Sequence, residues 1–238
     1  MKEFVAADIA PILACVLALV RFLVPTREVL TVRRDGNLGE LNPVPFCAAI
    51  LNTSGWVAYS VLEGDLFIFF GDAPGLLCSI WMTFSLFPHA SRAVQDRLTG
   101  FIMTAAAVWC ILAMVTIILQ STGSGHAVTP LWGWAVSVTQ VLLMASPLST
   151  IYKAIQQRTS ASFHLGLCAM GLVTSTMWVI FSLTINNLFV MVPNMVGGAM
   201  SLLALLVCIV LPRTPPRTPA EQQQARMRGI EQAVELGR

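Results

Sequence analysis

Long apolar runs separated by short polar breaks make up most of the chain. No Asp, Glu, Lys or Arg occurs in the 55 positions from Leu98 to Tyr152, or in the 54 positions from Thr159 to Pro212. Polar stretches at Gln120–Thr129 and Thr184–Asn187 each divide one of these runs. A helix needs about 20 mostly apolar residues to cross a hydrocarbon core of about 30 Å. Seven segments meet this requirement: Ile9–Leu30, Pro43–Leu62, Leu66–Phe87, Gly100–Leu119, Leu131–Tyr152, Leu165–Leu183 and Phe189–Leu211.

The composition indicates which class of protein these apolar segments belong to. Only 11% of the residues are charged and 56% are hydrophobic, whereas a soluble domain carries about 25% charged residues. The uninterrupted Val, Ile, Leu and Ala runs favour helices, because the strands of a membrane barrel alternate over about ten residues. These features exclude a soluble enzyme, a nucleic-acid binder and a secreted disulfide scaffold. The sequence therefore predicts an all-α membrane protein with seven transmembrane helices that is not an enzyme.

Two further observations concern partners and orientation. The six cysteines lie within the apolar spans and show no metal-ligand spacing, so neither a metal nor a cofactor is expected. Of the 14 basic residues, Lys2 falls on one side of the seven spans, Arg21 lies within span one, and twelve fall on the other side: Arg27, Arg33, Arg34, Arg92, Arg97, Lys153, Arg158, Arg213, Arg217, Arg226, Arg228 and Arg238. Because cytoplasmic loops carry an excess of Lys and Arg, we expect the N-terminus outside and the C-terminus in the cytoplasm. The plasma membrane is the expected location, with an internal membrane as the alternative.

A gapless internal repeat appears when 122 is added to each residue number of the first half. Five identities and four near-matches share this offset: Pro25/Pro147, Trp56/Trp178, Ser60/Ser182, Phe67/Phe189, Gly75/Gly197, Tyr59/Phe181, Asp65/Asn187, Ile68/Val190 and Asp72/Asn194. Chance would rarely place two of only six tryptophans and their flanking matches in one register. The offset aligns spans one to three with spans five to seven and leaves span four without a counterpart.

This pattern predicts a 3+1+3 architecture of two parallel triple-helix repeats. Three helices are an odd number, so one extra helix must return the chain before the second triplet begins. The expected units are a first repeat at 1–92, a linker helix and outer loop at 93–129, a second repeat at 130–212, and a polar cytoplasmic tail at 213–238. Parallel repeats about an axis along the membrane normal are found in transporters that bind substrate at the repeat interface near the midplane.

Several spaced motifs in both halves carry a resemblance to a known family. Leu51-Asn52, Trp56 and Tyr59 lie in span two and Gly75 in span three. The second half has Ser146-Pro147-Leu148-Ser149, then Trp178, then Pro193-Asn194-x-x-Gly197. Over nearly all of residues 8–212 the sequence resembles the SWEET family of sugar transporters, which are themselves examples of parallel-repeat carriers.

The resemblance implies a sugar site built from two aromatic and two polar side chains. By position these are Trp56, Asp72, Trp178 and Asn194, with Asp72 standing where the family has an Asn. An indole covers the apolar face of a sugar ring, and a side-chain amide offers an acceptor and two donors to its hydroxyls. Two alternatives stay open at this stage: the tryptophans as membrane-interface residues, and Asn194 as a helix cap.

The resemblance also implies two gates. Four residues would form a cytoplasmic hinge, because an interior proline deletes a backbone hydrogen bond and kinks its helix: Pro25, Pro45, Pro147 and His164, the last of which departs from the family's proline. Packing kinks without a gating role are the alternative for these prolines. At the outer mouth Tyr59 would close against Asn187, where the family has an Asp.

Two charges inside the first repeat are specific to this chain. Charged groups within a span are costly and usually functional, and the 122-offset partners of Arg21 and Asp72 are the neutral Leu143 and Asn194. This hints that Arg21 and Asp72 compensate one another. Arg21 nevertheless lies about seven residues deeper in its span than Asp72 does in its own, a mismatch of roughly 10 Å by helical rise, which favours an unpaired Asp72. We expect an alternating-access, facilitative transporter of mono- or disaccharides, with a possible homo-oligomeric state and the lipid bilayer as its surroundings. A proton-coupled carrier that uses Asp72 is the alternative, followed by a seven-helix receptor.

Overall fold

The computed structural model describes residues 8–39, 41–160, 163 and 165–213, with the side chains at 145–147 and 149 excepted, and every regular element in these ranges is helical. Eight α-helices are present there: α1 Ala10–Leu23, α2 Thr26–Asp35, α3 Val44–Glu63, α4 Leu66–Leu86, α5 Arg92–Ser121, α6 Val128–Gln157, α7 Leu165–Thr184 and α8 Leu188–Val210. Short 3₁₀ turns at Phe87–His89 and Gly125–Ala127 join α4 to α5 and α5 to α6.

Six helices in the described part of the chain are long and apolar enough to cross a membrane: Val44–Glu63, Leu66–His89, Arg92–Ser121, Gly125–Met144, Leu165–Thr184 and Leu188–Val210. The first predicted span, Ile9–Leu30, is not one continuous helix. It breaks at Val24 and Pro25, because proline has no N–H to continue the hydrogen-bond ladder. The resulting α1 has 14 residues, about 21 Å at 1.5 Å per residue, which is too short to span alone.

The two halves end and begin their helices in the same way. After α3, Gly64 adopts a left-handed conformation with φ 72°, and after α7, Asn186 does so with φ 51°. The next residue caps the following helix in both halves, since the Oδ1 atoms of Asp65 and Asn187 accept from the backbone N–H of Ile68 and Val190. All three pairs are 122 positions apart, so the internal repeat extends to individual backbone hydrogen bonds.

The helices of each half pack in the same spatial order. In the first half α4 lies between α1 and α3, and in the second half α8 lies between α6 and α7. The most extensive packing between the halves is α1 against α7 and α3 against α6. The 122 offset converts each of these contacts into the other, as two parallel repeats related by a two-fold axis require.

Helix α5 lies at the edge of the bundle and belongs to neither triplet. Its main contact is with α3, and it also touches α6. Trp109 fixes it there: its Nε1 donates to Ser54 Oγ of α3 at 3.0 Å, and its ring stacks on Trp132 of α6 with centroids 5.4 Å apart. Only 6% of its apolar window is buried within the protein, so α5 presents most of its apolar surface outward.

Three buried clusters show where the two halves are joined. The largest contains residues of both halves, with Trp56, Tyr59 and Ile68 packed together with Trp178 and Phe181. The two smaller clusters are each confined to one half: Val29, Val32, Met82 and Leu86 in the first, and Ile151, Ala154, Ala204 and Val207 in the second. The halves are therefore joined by a common core near Tyr59 and have separate cores at the opposite end, which contains Pro25.

Candidate substrate-binding site

A cavity of about 270 Å³ lies between the two triplets. Its described lining comes from six helices, α1, α3 and α4 of the first half and α6, α7 and α8 of the second, with no contribution from α5. Small-molecule pockets measure about 300–1,000 Å³, so this cavity lies near the lower end of that range. Its position between the repeats is where carriers with parallel repeats hold their substrates.

The lining follows the internal repeat. Of nineteen described lining residues, sixteen form eight pairs at the 122 offset: Ala18/Gln140, Arg21/Leu143, Phe22/Met144, Asn52/Thr174, Thr53/Ser175, Trp56/Trp178, Ile68/Val190 and Asp72/Asn194. Each wall of the cavity is thus matched by an equivalent wall across the pseudo-two-fold axis. The chemistry of a pair often differs between its members, so a ligand on the axis meets an asymmetric set of groups.

The structure brings all four sequence-predicted substrate residues to this cavity. Trp56 and Trp178 both line it and are 3% and 8% exposed. The Nε1 atom of Trp56 is buried and has no hydrogen-bond partner among the described atoms. Since buried donors in proteins are almost always paired, this donor would be satisfied by an acceptor that reached it from the cavity.

Asp72 and Asn194 occupy equivalent positions on α4 and α8 and line the same cavity. Asn194 Nδ2 donates to the carbonyl oxygen of Val190, one turn earlier in α8, at 2.8 Å, which leaves its Oδ1 as an acceptor. Asn194 lies inside α8 and not at its end, so it is not a helix cap. The Asp72 carboxylate has no hydrogen bond or ion pair in the described part of the chain, and both of its oxygens remain available.

Two glycines of α4 allow aromatic rings of the cavity wall to pack against the helix backbone. A Cβ on Gly71 would lie 2.5 Å from Trp178 Cζ2, and a Cβ on Gly75 would lie 2.3 Å from the Phe22 ring. Both positions therefore require glycine for close approach of the ring to the α4 backbone. The contacts place Trp178 at the level of Gly71 and Phe22 one helical turn farther from Asp65.

The end of the cavity near Tyr59 is closed by a layer that both halves build. Asn187 Nδ2 donates to the Tyr59 hydroxyl at 2.7 Å, and both groups are buried. Aromatic pairs cross between the halves on either side: Tyr59 with Phe189 at 6.0 Å, and its repeat equivalent, Phe67 with Phe181 at 5.5 Å. The Tyr–Asn contact expected for the outer mouth is thus present as a hydrogen bond.

The residues expected to form a hinge lie toward the opposite end. Pro25 stands at the junction of α1 and α2, and Pro45 lies in the first turn of α3 with its side chain exposed. At this first turn a proline removes no intrahelical hydrogen bond, so Pro45 does not kink α3. Pro147 lies within α6, and its side chain is outside those described. His164 lies outside the described residues.

Several polar lining residues were not singled out as site residues from the sequence. They are Asn52, Thr53, Gln140, Thr174 and Ser175. The signal that identifies four of them is the same 122 offset, which pairs Asn52 with Thr174 and Thr53 with Ser175 inside otherwise apolar spans. Asn52 also links the halves, because its Nδ2 donates to Thr139 Oγ1 at 3.1 Å.

The pairing of Arg21 with Asp72, the less favoured of the two arrangements, is absent. Both side chains line the cavity, yet the ion pair found within the described ranges joins Arg34 to Asp35. Each of the two charges therefore remains without a counter-ion among the described residues.

Comparison with known proteins agrees with this geometry. The family model described as "Sugar efflux transporter for intercellular exchange" matches residues 9–92 and 130–215. Sugar transporter SWEET1 of Dictyostelium discoideum is 24% identical over 205 residues, which cover 84% of this chain and 90% of that protein. Bidirectional sugar transporter SWEET7 of Arabidopsis thaliana is 24% identical over 211 residues, which cover 87% and 81%.

A solved structure gives the same fold. A eukaryotic SWEET transporter superposes with a TM-score of 0.74 at 15% identity, and the match covers 87% of this chain and 97% of that one. The family match spans both halves of the chain and leaves out the segment that contains α5. With its multiple apolar helices and a cavity between two repeats, the chain is a multi-pass membrane protein that belongs to the SWEET family of sugar transporters.

Proposed function

We propose that this protein moves a small sugar down its gradient by alternating access, as a facilitative uniporter. The observation that carries the proposal is the cavity lined in matched pairs by both repeats, with Trp56 and Trp178 as its aromatic walls and Asp72 and Asn194 as its polar groups. Indole faces cover the apolar side of a sugar ring, and the two polar groups serve its hydroxyls, since an unpaired buried polar group costs about 1–3 kcal/mol.

Among the described residues, a shared cluster joins the two repeats at one end of the cavity, and at the other end each repeat has a cluster of its own. The common core around Tyr59 joins the repeats above the tryptophans, whereas the two smaller clusters at the Pro25 end do not bridge them. This asymmetry supports a carrier that exposes its site to one side at a time. In the proposed cycle the Tyr59–Asn187 contact opens when the Pro25 end closes.

The proposal includes the 3+1+3 arrangement with α1 and α2 as one broken span. Both helices pack against α4, which has 21 residues and is long enough to cross a membrane alone. Two short helices placed along one spanning helix support a seventh crossing. The repeats at 1–92 and 130–212, the linker helix and outer loop at 93–129 and the tail at 213–238 follow from this arrangement.

The remaining assignments follow from the same architecture. Tyr59 and Asn187 form the outer gate. Pro25, Pro147 and His164 lie at the cytoplasmic hinge, to which Pro45, in the first turn of α3, adds no kink. The basic residues within α2, after α4, at the end of α6 and after α8 support an N-terminus outside and a cytoplasmic C-terminus, in the plasma membrane. The outward apolar face of α5 is available to lipid or to a second copy in a homo-oligomer.

Uptake into proteoliposomes tests the function directly. The purified full chain is reconstituted, and influx of labelled hexoses and disaccharides is measured with and without an imposed sugar gradient. Counterflow, in which unlabelled sugar inside drives labelled sugar inward, is expected of a uniporter. The control is the Trp56→Ala, Trp178→Ala double variant reconstituted at equal density. A protein that binds sugar without counterflow would favour the receptor alternative.

Asp72 supports a second candidate, a proton-coupled carrier. Its carboxylate lines the cavity without a partner in the described part of the chain, and such an unpaired intramembrane acid is a feature of proton-driven transporters. An inward proton gradient would then concentrate sugar against its own gradient. A uniporter is expected to equilibrate sugar and not to accumulate it under the same gradient, so this measurement separates the two.

A further inference from the structure

Arg21 is a cation in the wall of the cavity that no protein group neutralises. It lies on the same face of α1 as Ala18 and Phe22, three and one positions away, and all three line the cavity. Its side chain is exposed. Within residues 8–39, 41–160, 163 and 165–213 it makes no ion pair and no hydrogen bond. Its repeat equivalent is Leu143, so the charge is not a requirement of the fold at this position.

The chemistry of this group points to one kind of ligand. A guanidinium is always charged and offers five N–H donors in a planar fork that matches a carboxylate or a phosphate in two-point contact. A structural arginine has its donors taken by protein acceptors, whereas those of Arg21 are unused and reach an accessible cavity. The group that would satisfy them is an anionic substituent brought in by the substrate.

Asp72 is the other charged residue in the described lining. The two charged side chains form no ion pair, so Asp72 does not neutralise Arg21. Arg21 is four residues from Pro25 at the end of α1, and an acidic substituent that projects toward the Pro25 end of the cavity meets this cation.

Resting on the proposed sugar site, we propose that Arg21 is a specificity-determining residue that admits monosaccharides bearing an acidic group, a carboxylate or a phosphate. Neutral monosaccharides with the same ring bind between the same tryptophans but make no ionic contact with Arg21. Binding to Arg21 uses only electrostatic and hydrogen-bonding contacts and leaves the ligand chemically unchanged.

The test is competition among three probes of the same ring: glucose, glucuronate and glucose 6-phosphate. Binding is measured on the purified full chain by quenching of tryptophan fluorescence, and inhibition of labelled glucose uptake is measured in proteoliposomes. The quantity compared is the ratio of the affinity for each acid to that for glucose. Arg21→Leu, which copies the repeat partner Leu143, is expected to lower this ratio about tenfold to a hundredfold, equivalent to about 1.4–2.8 kcal/mol.

Two further variants keep the result interpretable. Arg21→Lys retains the charge without the planar fork and is expected to keep part of the preference, and it decides the question if Arg21→Leu does not reach the membrane. Arg27→Leu removes an exposed cation that lies outside the cavity lining and is expected to leave the ratio at its wild-type value. The affinity ratio is determined separately for glucuronate and for glucose 6-phosphate, so the result shows whether Arg21 favours a carboxylate, a phosphate or both.

The proposal is overturned if neither acid binds to the wild-type protein while glucose does. It is also overturned if Arg21→Leu lowers the affinity for glucose and for both acids by the same factor, which would make Arg21 a hydroxyl contact or a structural residue. Failure of the proposed function looks different: no sugar crosses the membrane in the uptake assay, whatever the binding ratio.

Discussion

The side-chain amide of Asn187 connects two separate parts of the molecule. Its Oδ1 accepts from Phe189 and Val190 at the start of α8, and its Nδ2 donates to the Tyr59 hydroxyl of α3 at 2.7 Å. The repeat equivalent, Asp65, caps α4 through the equivalent bond from Ile68, but the residue equivalent to Tyr59 is Phe181, which has no hydroxyl. Both repeats therefore share the cap, whereas a hydrogen bond from the cap residue to the other repeat is possible only at Asn187.

Removing the hydroxyl should loosen the closed end without unfolding α8. Tyr59→Phe leaves the Asn187 amide donor buried and unpaired, at a cost of about 1–3 kcal/mol. We expect slower uptake and increased labelling of a cysteine placed at Ser60, which is buried beside Tyr59. Asn187→Asp keeps the cap and can accept from the Tyr59 hydroxyl, so it is the matched control and should stay close to wild type. Equal loss in both variants would contradict a gating role for this bond.

The aromatic walls should carry a large share of sugar affinity. Trp56→Ala and Trp178→Ala each remove a stacking surface worth about 1–3 kcal/mol per ring. We therefore expect affinity to fall by about tenfold to a hundredfold in equilibrium binding, with protein still present in the membrane. Trp81→Ala, which removes an exposed tryptophan outside the cavity lining, is the control. Near-normal transport by both cavity variants would remove them from the site.

A single methyl group at Gly71 should test whether the position of Trp178 matters. The added Cβ would lie 2.5 Å from Trp178 Cζ2, so the ring must move away from α4. Gly71→Ala is expected to weaken sugar binding at least several-fold while the helix itself gains stability, because Ala is favoured over Gly in a helix by about 1 kcal/mol. Gly100→Ala adds the same methyl where no atom lies within 4 Å. Thermal stability and binding affinity of the two variants are compared.

The break between α1 and α2 should be reversible by one substitution. Pro25→Ala restores an N–H that can donate to the Arg21 carbonyl four residues earlier, which favours one continuous helix. We expect sugar binding to persist and the rate of transport to fall, as measured by counterflow against equilibrium binding. Pro88→Ala, in an exposed 3₁₀ turn, is the control. If Pro25→Ala transports at the wild-type rate, the break is a packing feature.

Asp72 distinguishes a uniporter from a proton-coupled carrier. Because Asp72 and Arg21 do not form an ion pair, Asp72→Asn leaves no cation that the carboxylate had neutralised, and normal expression is expected. The variant copies Asn194 at the equivalent position of α8. If the Asp72 carboxyl takes up and releases the coupled proton, uptake of a neutral hexose should depend less on pH in the variant than in the wild-type protein, because an amide has no titrating carboxyl. A variant that is expressed only together with Arg21→Leu would contradict this account.

The transmembrane segments, the internal repeat and the helix caps can be predicted from the sequence alone. Apolar length determines which segments can cross a membrane, and six such helices are present. The offset of 122 positions relates the repeats, and the same offset relates their helix caps and their packing order. These features are readable from the sequence because hydropathy, capping and repetition depend on neighbouring residues or on a constant spacing.

The tertiary structure decided what depends on distances between remote segments. The sequence shows a proline at 25, and the structure shows that the helix breaks there and does not merely bend. The sequence also shows two intramembrane charges whose positions along their spans favour an unpaired Asp72, and the packed helices show that Arg21 and Asp72 both line one cavity without forming an ion pair. The polar lining at Thr53, Ser175 and Gln140 became visible for the same reason. The cavity forms only where six helices pack together. Which side chains line it therefore depends on the positions of residues that are remote in the sequence.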